Sequence, residues 1–263
     1  MKNSTFRENT LLRAWASGRA TLNGWLSIPD ANAAEAMAHA NWDSLTVDMQ
    51  HGLIDYRAAL ALLQAISTTE VVPLVRVPWL DEGIIMKMLD AGAYGIICPM
   101  IDTAAQAARL ARACRYPPRG SRSFGPIRAG LYGGEDYAAH ANDQLPVFAM
   151  IETQEAIGNL DEILAVEELT GVYVGPSDLS LAHGEQPVWD REGSAADRAM
   201  CAIVGKARAA GKRSGAHCGS VAYARRMIAQ GADFATVGSD MRLMSAGAQT
   251  VVSAFRGADT DAA

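Results

Sequence analysis

Short runs of apolar residues recur along the chain, and each run is followed by a stretch with helical spacing. The runs lack the alternation of a half-buried strand, so they are typical of parallel strands covered on both faces. We predict strands at 22–27, 45–49, 71–77, 94–99, 147–151, 171–174, 214–217 and 234–237. We predict helices at 32–39, 56–66, 82–90, 104–114, 154–163, 195–210, 221–229 and 243–255.

This rhythm of eight strand–helix units predicts an α/β fold, a (β/α)8 barrel. A doubly wound open sheet is the alternative, because it shows the same alternation. No GxGxxG follows the first strand, which disfavours a dinucleotide-binding sheet. The 263 residues accommodate the eight units and two long connections, 115–146 and 182–195, so we expect one domain over 1–263.

The composition excludes several classes of protein. Hydrophobic residues make up 49% and charged residues 20%, as in a globular chain rather than a disordered one. A net charge of −6 offers no basic surface for nucleic acid. No apolar run approaches the ~20 residues of a membrane span. The four cysteines form no CxxC pair and the N-terminus lacks a secretory signal core, so we expect reduced thiols and a cytoplasmic location.

Polar side chains cluster where the predicted strands end, which is where barrel enzymes place their active sites. They are Asp48, Gln50, His51, Arg76, Glu152, Ser177, Asp178, His217, Cys218, Ser239 and Asp240. Glu152 and Asp178 follow neighbouring strands, and carboxylates are the ligands that Mg²⁺-type ions prefer. Each could instead cap the helix that follows it. Taking the two together, we favour a divalent-metal site.

Arg76 and His51 are the candidates for the chemistry itself. Arg76 lies in a nearly continuous apolar strand, so it needs an anionic partner. That partner is either an internal aspartate or a substrate oxygen that becomes negative, and we favour the second. His51 follows Asp48 by three residues and is a candidate general base, although an isolated histidine is more often structural. The Gly-Pro-Ser turn before Asp178 offers backbone N–H groups to an anion.

Lysine is scarce, and its positions disfavour Schiff-base chemistry. The four lysines are Lys2, Lys87, Lys206 and Lys212. None is predicted at the carboxyl end of a strand, where a Schiff-base lysine would project into the pocket. Electrophilic catalysis would then fall to the metal and Arg76. The long connection carries Arg119, Arg122 and Arg128, which we expect to be solvated or to receive a distal acidic group of a substrate.

Eight sequence blocks carry a resemblance to a known family. They are NGWLS, AEAMAHANWDSLTVDMQHG, PLVRVP, LDAGAYGIICPMI, RYPPRGSRSFGP, MIET, GPSDLS and GADFATVGSD. In this order and spacing, almost from end to end, the chain resembles the HpcH/HpaI aldolase/citrate lyase family in its metal-dependent pyruvate aldolase branch. Members acting on 4-hydroxy-2-oxo-dicarboxylates or 2-keto-3-deoxy sugar acids look most similar.

The resemblance implies a (β/α)8 barrel assembled as a hexamer, with the C-terminal helix exchanged between subunits. It implies that Glu152 and Asp178 bind Mg²⁺, Mn²⁺ or Co²⁺, and that the pyruvyl end of the substrate chelates this metal. Arg76 would contact the keto oxygen and the enolate. Backbone N–H groups near Ser177 and Asp178 would hold the carboxylate.

The same resemblance implies roles for three more residues. His51 would be the base, through a metal-bound water, and Asp90 of a neighbouring subunit would support it. Asp48 would orient the metal-bound water. The chain departs from the family pattern at Gln50, Met150, His217 and Cys218. These departures bear on substrate choice more than on chemistry.

We therefore expect a class II aldolase. It would cleave a 4-hydroxy-2-oxo acid, such as 4-hydroxy-2-oxoheptanedioate or a 2-keto-3-deoxy sugar acid, to pyruvate and an aldehyde, and run the reverse addition. One alternative is an acyl-CoA carbon–carbon lyase of the citrate lyase type, which would need a basic surface for the CoA phosphates. Another is a barrel that only binds a keto acid. The expected partners are small molecules and further copies of the chain, with no nucleic acid and no membrane.

Overall fold

A closed barrel of eight parallel strands forms the centre of the protein. The computed structural model describes residues 6–257. The strands are β1 (Thr21–Leu26), β2 (Ser44–Asp48), β3 (Val72–Arg76), β4 (Ile96–Cys98), β5 (Val147–Met150), β6 (Gly171–Val174), β7 (Arg213–Cys218) and β8 (Phe234–Val237). They pair in chain order, and β8 closes the barrel on β1. The predicted (β/α)8 barrel is confirmed, and the open sheet is excluded.

Helices surround the barrel and connect its strands. They are α1 (Thr10–Ala16), α2 (Ala31–Ala38), α3 (Tyr56–Ile66), α4 (Glu82–Asp90), α5 (Ala104–Ala113), α6 (Ile127–Gly133), α7 (Tyr137–Gln144), α8 (Gln154–Gly158), α9 (Leu160–Leu164), α10 (Pro176–Ala182), α11 (Ala195–Ala209), α12 (Val221–Gln230) and α13 (Asp240–Arg256). Most begin at a polar side chain that accepts a backbone N–H of the first turn, as Thr153 does for α8 and Ser239 for α13.

The strands are buried on both faces, which explains why their sequences do not alternate. Every residue of β2 to β6 is buried, because helices cover the outside and side chains fill the inside. The interior also holds polar residues. The Asn23 amide accepts the hydroxyls of Ser44 and Thr46 and donates to Thr236 Oγ1 at 2.8 Å. These buried groups are therefore paired, as stability requires.

Three segments differ from the predicted elements. The connection at 115–146 contains α6 and α7, so it is not an irregular loop. The single helix predicted over 154–163 is two helices, α8 and α9, which meet at Asn159. An unpredicted helix, α1, precedes the barrel, and its Trp15 stacks on Phe234 inside the barrel end. Short, weakly periodic helices of this kind are hard to predict from spacing alone.

The C-terminal helix α13 lies against the barrel only at its start. Asp240 is its one buried residue, and Met244, Val251 and Phe255 are exposed by 58%, 69% and 88%. Next to it an apolar groove of about 480 Å³ runs between β1, β8 and α12, with Trp42 on its wall. Among residues 6–257, no helix combines the length and apolar character needed to cross a bilayer.

Candidate active site

A cavity of about 260 Å³ opens at the carboxyl ends of the barrel strands. Its lining residues are Trp25, Ser27, Asp48, His51, Arg76, Met150, Glu152, Tyr173, Gly175, Pro176, Ser177, Asp178, Trp189, His217 and Ser239. Eight of the polar residues predicted at the strand ends line it, and Gln50, Cys218 and Asp240 do not. Asp90, which the resemblance places in the site from a neighbouring subunit, does not line it either.

Arg76 and Asp48 form a buried ion pair on the cavity floor. The two are partners in the β2–β3 register, so their side chains point to the same side of the sheet. Arg76 Nε and Nη2 donate to the two Asp48 carboxylate oxygens at 2.8 and 2.6 Å. Burial raises the pKa of Asp48, but the hydrogen bonds and charge of Arg76 outweigh it and leave that pKa below its usual value. Asp48 is therefore an anion that fixes the guanidinium.

The sequence left two partners open for Arg76, an internal aspartate or a substrate oxygen that becomes negative. The structure shows an internal aspartate, Asp48, bound to the guanidinium. Yet Asp48 engages only one edge of the guanidinium, and Nη1 has no hydrogen-bond partner within the described chain. The guanidinium also lies over the Trp25 ring, 4.8 Å from its centroid, and Arg76 lines the cavity. An oriented donor directed at a pocket is what a developing oxyanion requires.

Glu152 and Asp178 form a carboxylate pair in the same cavity. Burial, followed by the negative charge of Asp178, raises the pKa of Glu152 to about 7, although the Met100 N–H donates to its Oε1 at 2.8 Å. Met100 has a φ of 54°, an unusual conformation for a non-glycine residue, and it aims this N–H at the carboxylate.

Helix capping does not explain these two carboxylates. The N-cap of α8 is Thr153, whose side chain accepts the Ala156 N–H, so Glu152 is not the cap. The N-cap of α10 is Gly175, and Asp178 lies in the first turn without a capping bond. Among residues 6–257 the Asp178 side chain has neither a hydrogen-bond nor an ion-pair partner.

The donor set fits a divalent cation. Two carboxylates with coupled charges in a largely buried cavity are costly without a counter-charge, and carboxylate oxygen is a preferred ligand of such ions. Within residues 6–257 no three His, Cys, Asp or Glu side chains converge as a ready-made metal cluster. Glu152 and Asp178 would thus supply two ligands and leave further positions to water and substrate, as is usual for Mg²⁺.

His51 lies at the cavity rim, directly after β2. Its side chain is exposed, and its backbone N–H donates to Asp48 Oδ1 at 3.3 Å. The neighbouring Gln50 N–H donates to the same oxygen at 3.0 Å. Asp48 therefore holds both the arginine and the turn that presents the histidine.

An aromatic wall completes the cavity, and of its four rings the sequence predicted only His217 at the site. It consists of the rings of Trp25, Tyr173, Trp189 and His217. The His217 ring meets Trp25 and Trp189 edge to face, with both centroids 4.9 Å away. Burial, with help from the nearby Arg76 charge, lowers the pKa of His217 to about 3, so the ring is neutral at physiological pH. Trp189 lies in the long connection after β6, whose path no periodic pattern encodes.

Asp90 and the three arginines at 115–146 lie outside the cavity. Arg122 is fully buried and donates to Asp90 Oδ1 at 2.7 Å and to the Tyr137 hydroxyl at 3.0 Å. Acidic side chains bind Arg119, and backbone carbonyls bind Arg128. The Arg119 side chain is 41% exposed and therefore solvated as predicted, whereas Arg122 and Arg128 are held within the protein. The role of Asp90 across a subunit boundary stays a prediction.

The lysines lie where the sequence suggested. Lys87 is on α4, and Lys206 is on α11 in an ion pair with Asp161. Lys212 precedes β7 at the amino end of the barrel, where its Nζ donates to three backbone carbonyls. Lys2 lies outside the described residues. None of the three described lysines lines the cavity, so a Schiff base there is disfavoured.

The fold and the cavity together define a (β/α)8 barrel enzyme with its site at the carboxyl ends of the strands. The HpcH/HpaI aldolase/citrate lyase family model matches residues 22–246, and the chain belongs to this family.

Relatives and solved structures agree with this membership. The chain is 44% identical over 248 residues to the hydroxypyruvate/pyruvate aldolase of Rhizorhabdus wittichii, covering 94% of this chain and 99% of the relative. It is 35% identical over 253 residues to the 4-hydroxy-2-oxo-heptane-1,7-dioate aldolase of Escherichia coli, covering 94% and 95%. An HpcH/HpaI family structure from Burkholderia cenocepacia superposes with a TM-score of 0.88 at 29% identity, covering 95% and 100%. The chain is a class II aldolase, a carbon–carbon lyase.

Proposed function

We propose that this aldolase cleaves 4-hydroxy-2-oxo acids to pyruvate and an aldehyde and catalyses the reverse addition. The observation that carries the proposal is that one cavity joins an oriented arginine, a histidine and a carboxylate pair. Relatives named for hydroxypyruvate/pyruvate and for 4-hydroxy-2-oxo-heptane-1,7-dioate support the same class of substrate.

Glu152 and Asp178 are the proposed ligands of a divalent cation, Mg²⁺, Mn²⁺ or Co²⁺. When bound, such a cation supplies positive charge that polarises the 2-keto group of the substrate. The electrostatics of Glu152 support this proposal: burial and the Asp178 charge raise its pKa to about 7, and the Arg76 charge opposes this rise without cancelling it. The first-turn N–H groups of α10 at Ser177 and Asp178 are proposed to hold the substrate carboxylate.

The chain's own residues then account for the cleavage. His51 takes the proton of the C4 hydroxyl, and the C3–C4 bond breaks as the aldehyde carbonyl forms. The electron pair of that bond passes to an enolate, whose oxygen faces the free edge of the Arg76 guanidinium. Protonation at C3 gives pyruvate. Asp48 keeps Arg76 oriented, and Asp90 of a neighbouring subunit is proposed to support His51.

Neither alternative function gains an observation in its favour. A CoA thioester would need free basic groups for its phosphates, but Arg119, Arg122 and Arg128 are all bound to protein groups. A barrel that only binds keto acids would not need a base beside the carboxylate pair.

A pyruvate-release assay tests the proposed reaction. Purified enzyme with Mg²⁺, Mn²⁺ or Co²⁺ would be given a panel of 4-hydroxy-2-oxo acids, including the heptanedioate and 2-keto-3-deoxy sugar acids. We expect pyruvate from at least one of them. We also expect no cleavage from His51→Ala or Arg76→Ala protein whose circular dichroism is normal. Undiminished cleavage by both variants would refute the assigned roles.

Metal binding can be tested without measuring activity. Titration of chelator-treated protein with Mn²⁺, followed by calorimetry, should show binding that Glu152→Gln weakens by at least about 100-fold, because one of two protein ligands is lost. The exposed Glu155 provides the matched control, and Glu155→Gln should bind as the parent does. Equal affinity in Glu152→Gln would place the cation elsewhere.

The assembly and location of the chain also belong to this proposal. We propose a hexamer in which α13 of one subunit covers the apolar groove of another. The exposed apolar side chains of α13 and the uncovered groove beside Trp42 support it. A cytoplasmic location is supported by the four cysteines, all of which are free thiols.

A further inference from the structure

The cavity has two chemically different walls. The strands β2, β3, β5 and the start of α10 contribute charged groups, namely Asp48, Arg76, Glu152 and Asp178. The opposite wall comes from β1, β6, β7 and the connection after α10, and it consists of the four rings already described. A 2-oxo acid whose carboxylate and keto oxygen are bound on the charged wall directs its remaining carbon, C3, toward the aromatic wall.

Three of the four rings have their polar atoms engaged within the protein. Trp25 Nε1 donates to Asp48 Oδ2 at 3.1 Å. Trp189 Nε1 donates to Ser177 Oγ at 2.7 Å. The Tyr173 hydroxyl donates to Thr236 Oγ1 at 2.7 Å. None of these three groups is available to a substrate.

His217 is the exception in this wall. Its Nδ1 lies 3.1 Å from the Tyr173 hydroxyl oxygen, so one ring nitrogen is engaged with that hydroxyl. Nε2 has no hydrogen-bond partner among residues 6–257, and the ring lines the cavity. The aromatic wall thus presents one unpaired polar atom to whatever occupies the cavity.

The ring is held firmly in this orientation. Thr236 also accepts the Asn23 amide, whose oxygen accepts the hydroxyls of Ser44 and Thr46, so a chain of buried hydrogen bonds leads from β2 to His217. Asn23 and Thr236 are register partners, as are Thr236 and His217. Packing against Trp25 and Trp189 fixes the ring plane. An ordered, unpaired polar atom of this kind is typical of a site that selects a ligand by one polar contact.

We propose that His217 selects the donor substrate of the aldol reaction by forming, at Nε2, a hydrogen bond with a hydroxyl on C3. The preferred donors are then 3-hydroxy-2-oxo acids, of which hydroxypyruvate is the simplest, over pyruvate. The inference rests on the proposed function, since it uses the charged wall as the place where the 2-oxo acid binds. The aldehyde lies toward His51, which handles its hydroxyl proton, so the C3 substituent is the group left to face His217.

One hydrogen bond at His217 would make the enzyme prefer hydroxypyruvate but would not exclude pyruvate. A neutral hydrogen bond made in a partly buried site changes affinity by roughly tenfold. A donor without the hydroxyl leaves Nε2 to a water molecule or unpaired, so pyruvate is still accepted but less well.

The test compares two donors on each enzyme preparation. The metal-loaded protein would add hydroxypyruvate or pyruvate to one common aldehyde, and the ratio of the two kcat/KM values would be measured. We expect His217→Leu to lower this ratio roughly tenfold. His217→Gln, which returns a polar atom near the Nε2 position, should stay within about threefold of the parent. Because both donors share one preparation, loss of folded protein cancels in the ratio.

Two further variants sharpen the result. Tyr173→Phe keeps the ring but removes the hydroxyl that orients His217, so the KM for hydroxypyruvate should rise more than the KM for pyruvate. His39→Leu changes an exposed histidine at the end of α2 in the same way and should leave the ratio unchanged.

The outcomes separate this inference from the proposed function. If the parent uses pyruvate well and His217→Leu leaves the ratio unchanged, or slows both donors equally, His217 does not select the donor. If the parent cleaves no 4-hydroxy-2-oxo acid and adds neither donor to an aldehyde, the proposed function fails, and this inference fails with it.

Discussion

Asp48 shows how one side chain can hold several parts of a site. Its carboxylate binds Arg76 through two bonds, accepts the Trp25 indole N–H and accepts the N–H groups that open the turn to His51. The proposed base and the proposed oxyanion donor are thereby connected through one carboxylate. Preorganised donors of this kind cost no rearrangement during the reaction.

The planar guanidinium of Arg76 binds both Asp48 oxygens, and catalysis should depend on this geometry. Arg76→Lys keeps the charge but replaces the planar fork by a single nitrogen, which cannot reproduce the two bonds from separate nitrogens to Asp48 with a third nitrogen facing the cavity. We expect kcat to fall by about 10²–10³ with a smaller change in KM. Arg57→Lys, at an exposed position on α3, should leave the steady-state kinetics unchanged. A parent-like kcat in Arg76→Lys would show that charge alone is sufficient.

His217 predicts a pH dependence of stability. Its pKa is lowered to about 3 by burial and the Arg76 charge, with Asp48 opposing and Arg242 adding to the shift, whereas the unfolded chain binds this proton near pH 6.5. As pH falls below 6.5 the unfolded state gains a proton that the folded state does not, so stability is lost. Urea unfolding at pH 7.5 and 5.5 should show the parent losing about 1 kcal/mol relative to His217→Gln. A constant difference between the two proteins would contradict a neutral buried ring.

The charged residues of the site could be predicted from the sequence, and the aromatic ones could not. His51, Arg76, Glu152 and Asp178 follow apolar runs, and parallel strand ends meet at one edge of a barrel. Trp189 enters through a connection whose path depends on tertiary contacts, such as its bond to Ser177. The sequence left open whether an internal aspartate binds Arg76. Only the register of β2 with β3 shows that Asp48 lies beside it.

At the scale of elements, one buried aspartate connects α11, α12 and the segment that precedes α11. Asp197, in the first turn of α11, accepts the Tyr223 hydroxyl at 2.6 Å and the Arg226 guanidinium at 2.6 and 3.1 Å, both from α12. It also accepts the Gly193 N–H at 2.8 Å. Burial raises the pKa of Asp197, but these bonds outweigh it and leave the pKa below its usual value.

Removing the Asp197 charge should destabilise the packing of α11 against α12. Asp197→Asn removes the charge opposite Arg226 and replaces one acceptor oxygen by an N–H donor, so not all of these bonds can be kept, and we expect a loss of about 2–4 kcal/mol in the free energy of unfolding. Asp161→Asn breaks the exposed ion pair with Lys206 and should cost less than about 0.5 kcal/mol. Similar losses from the two variants, measured by urea unfolding, would argue against a special role for Asp197.

The predicted elements agree with the structure where the apolar period is strong. The bounds of α3 and α4 and of β6 and β8 coincide with the predicted ranges. The helices α6 and α7 were missed because their residues at 115–146 are rich in glycine, proline and charge. Their position is set instead by Arg122 and Arg128, which bind side chains and carbonyls from other parts of the chain.

At the scale of the whole molecule, α13 carries an apolar stripe on an exposed surface. Met241, Met244, Ala248, Val251 and Phe255 follow one another at intervals of three and four residues, so they share one helical face. Exposed stripes of this length mark contact with another chain. The sequence pattern revealed the helix, but only the structure shows that its own barrel does not cover it.

Charging this stripe should prevent assembly. In Val251→Glu/Phe255→Glu the apolar contact would have to bury two carboxylates, so we expect a lower mass by analytical ultracentrifugation. Gln249→Glu/Ser253→Glu adds the same charge to the opposite face of α13 and should sediment as the parent does. If both double variants sediment like the parent, the stripe does not hold the subunits together.

The first turn of α13 also reaches the active site. The Arg242 guanidinium lies 3.9 Å from the centroid of Trp189, the ring that closes one side of the cavity and binds Ser177. One helix thus contacts the active site at its first turn and exposes its apolar end on the outer surface. In the proposed hexamer, a subunit that dissociates would lose the contacts that hold the end of this helix. Specific activity should consequently decline upon dilution, so that protein concentration becomes a kinetic variable.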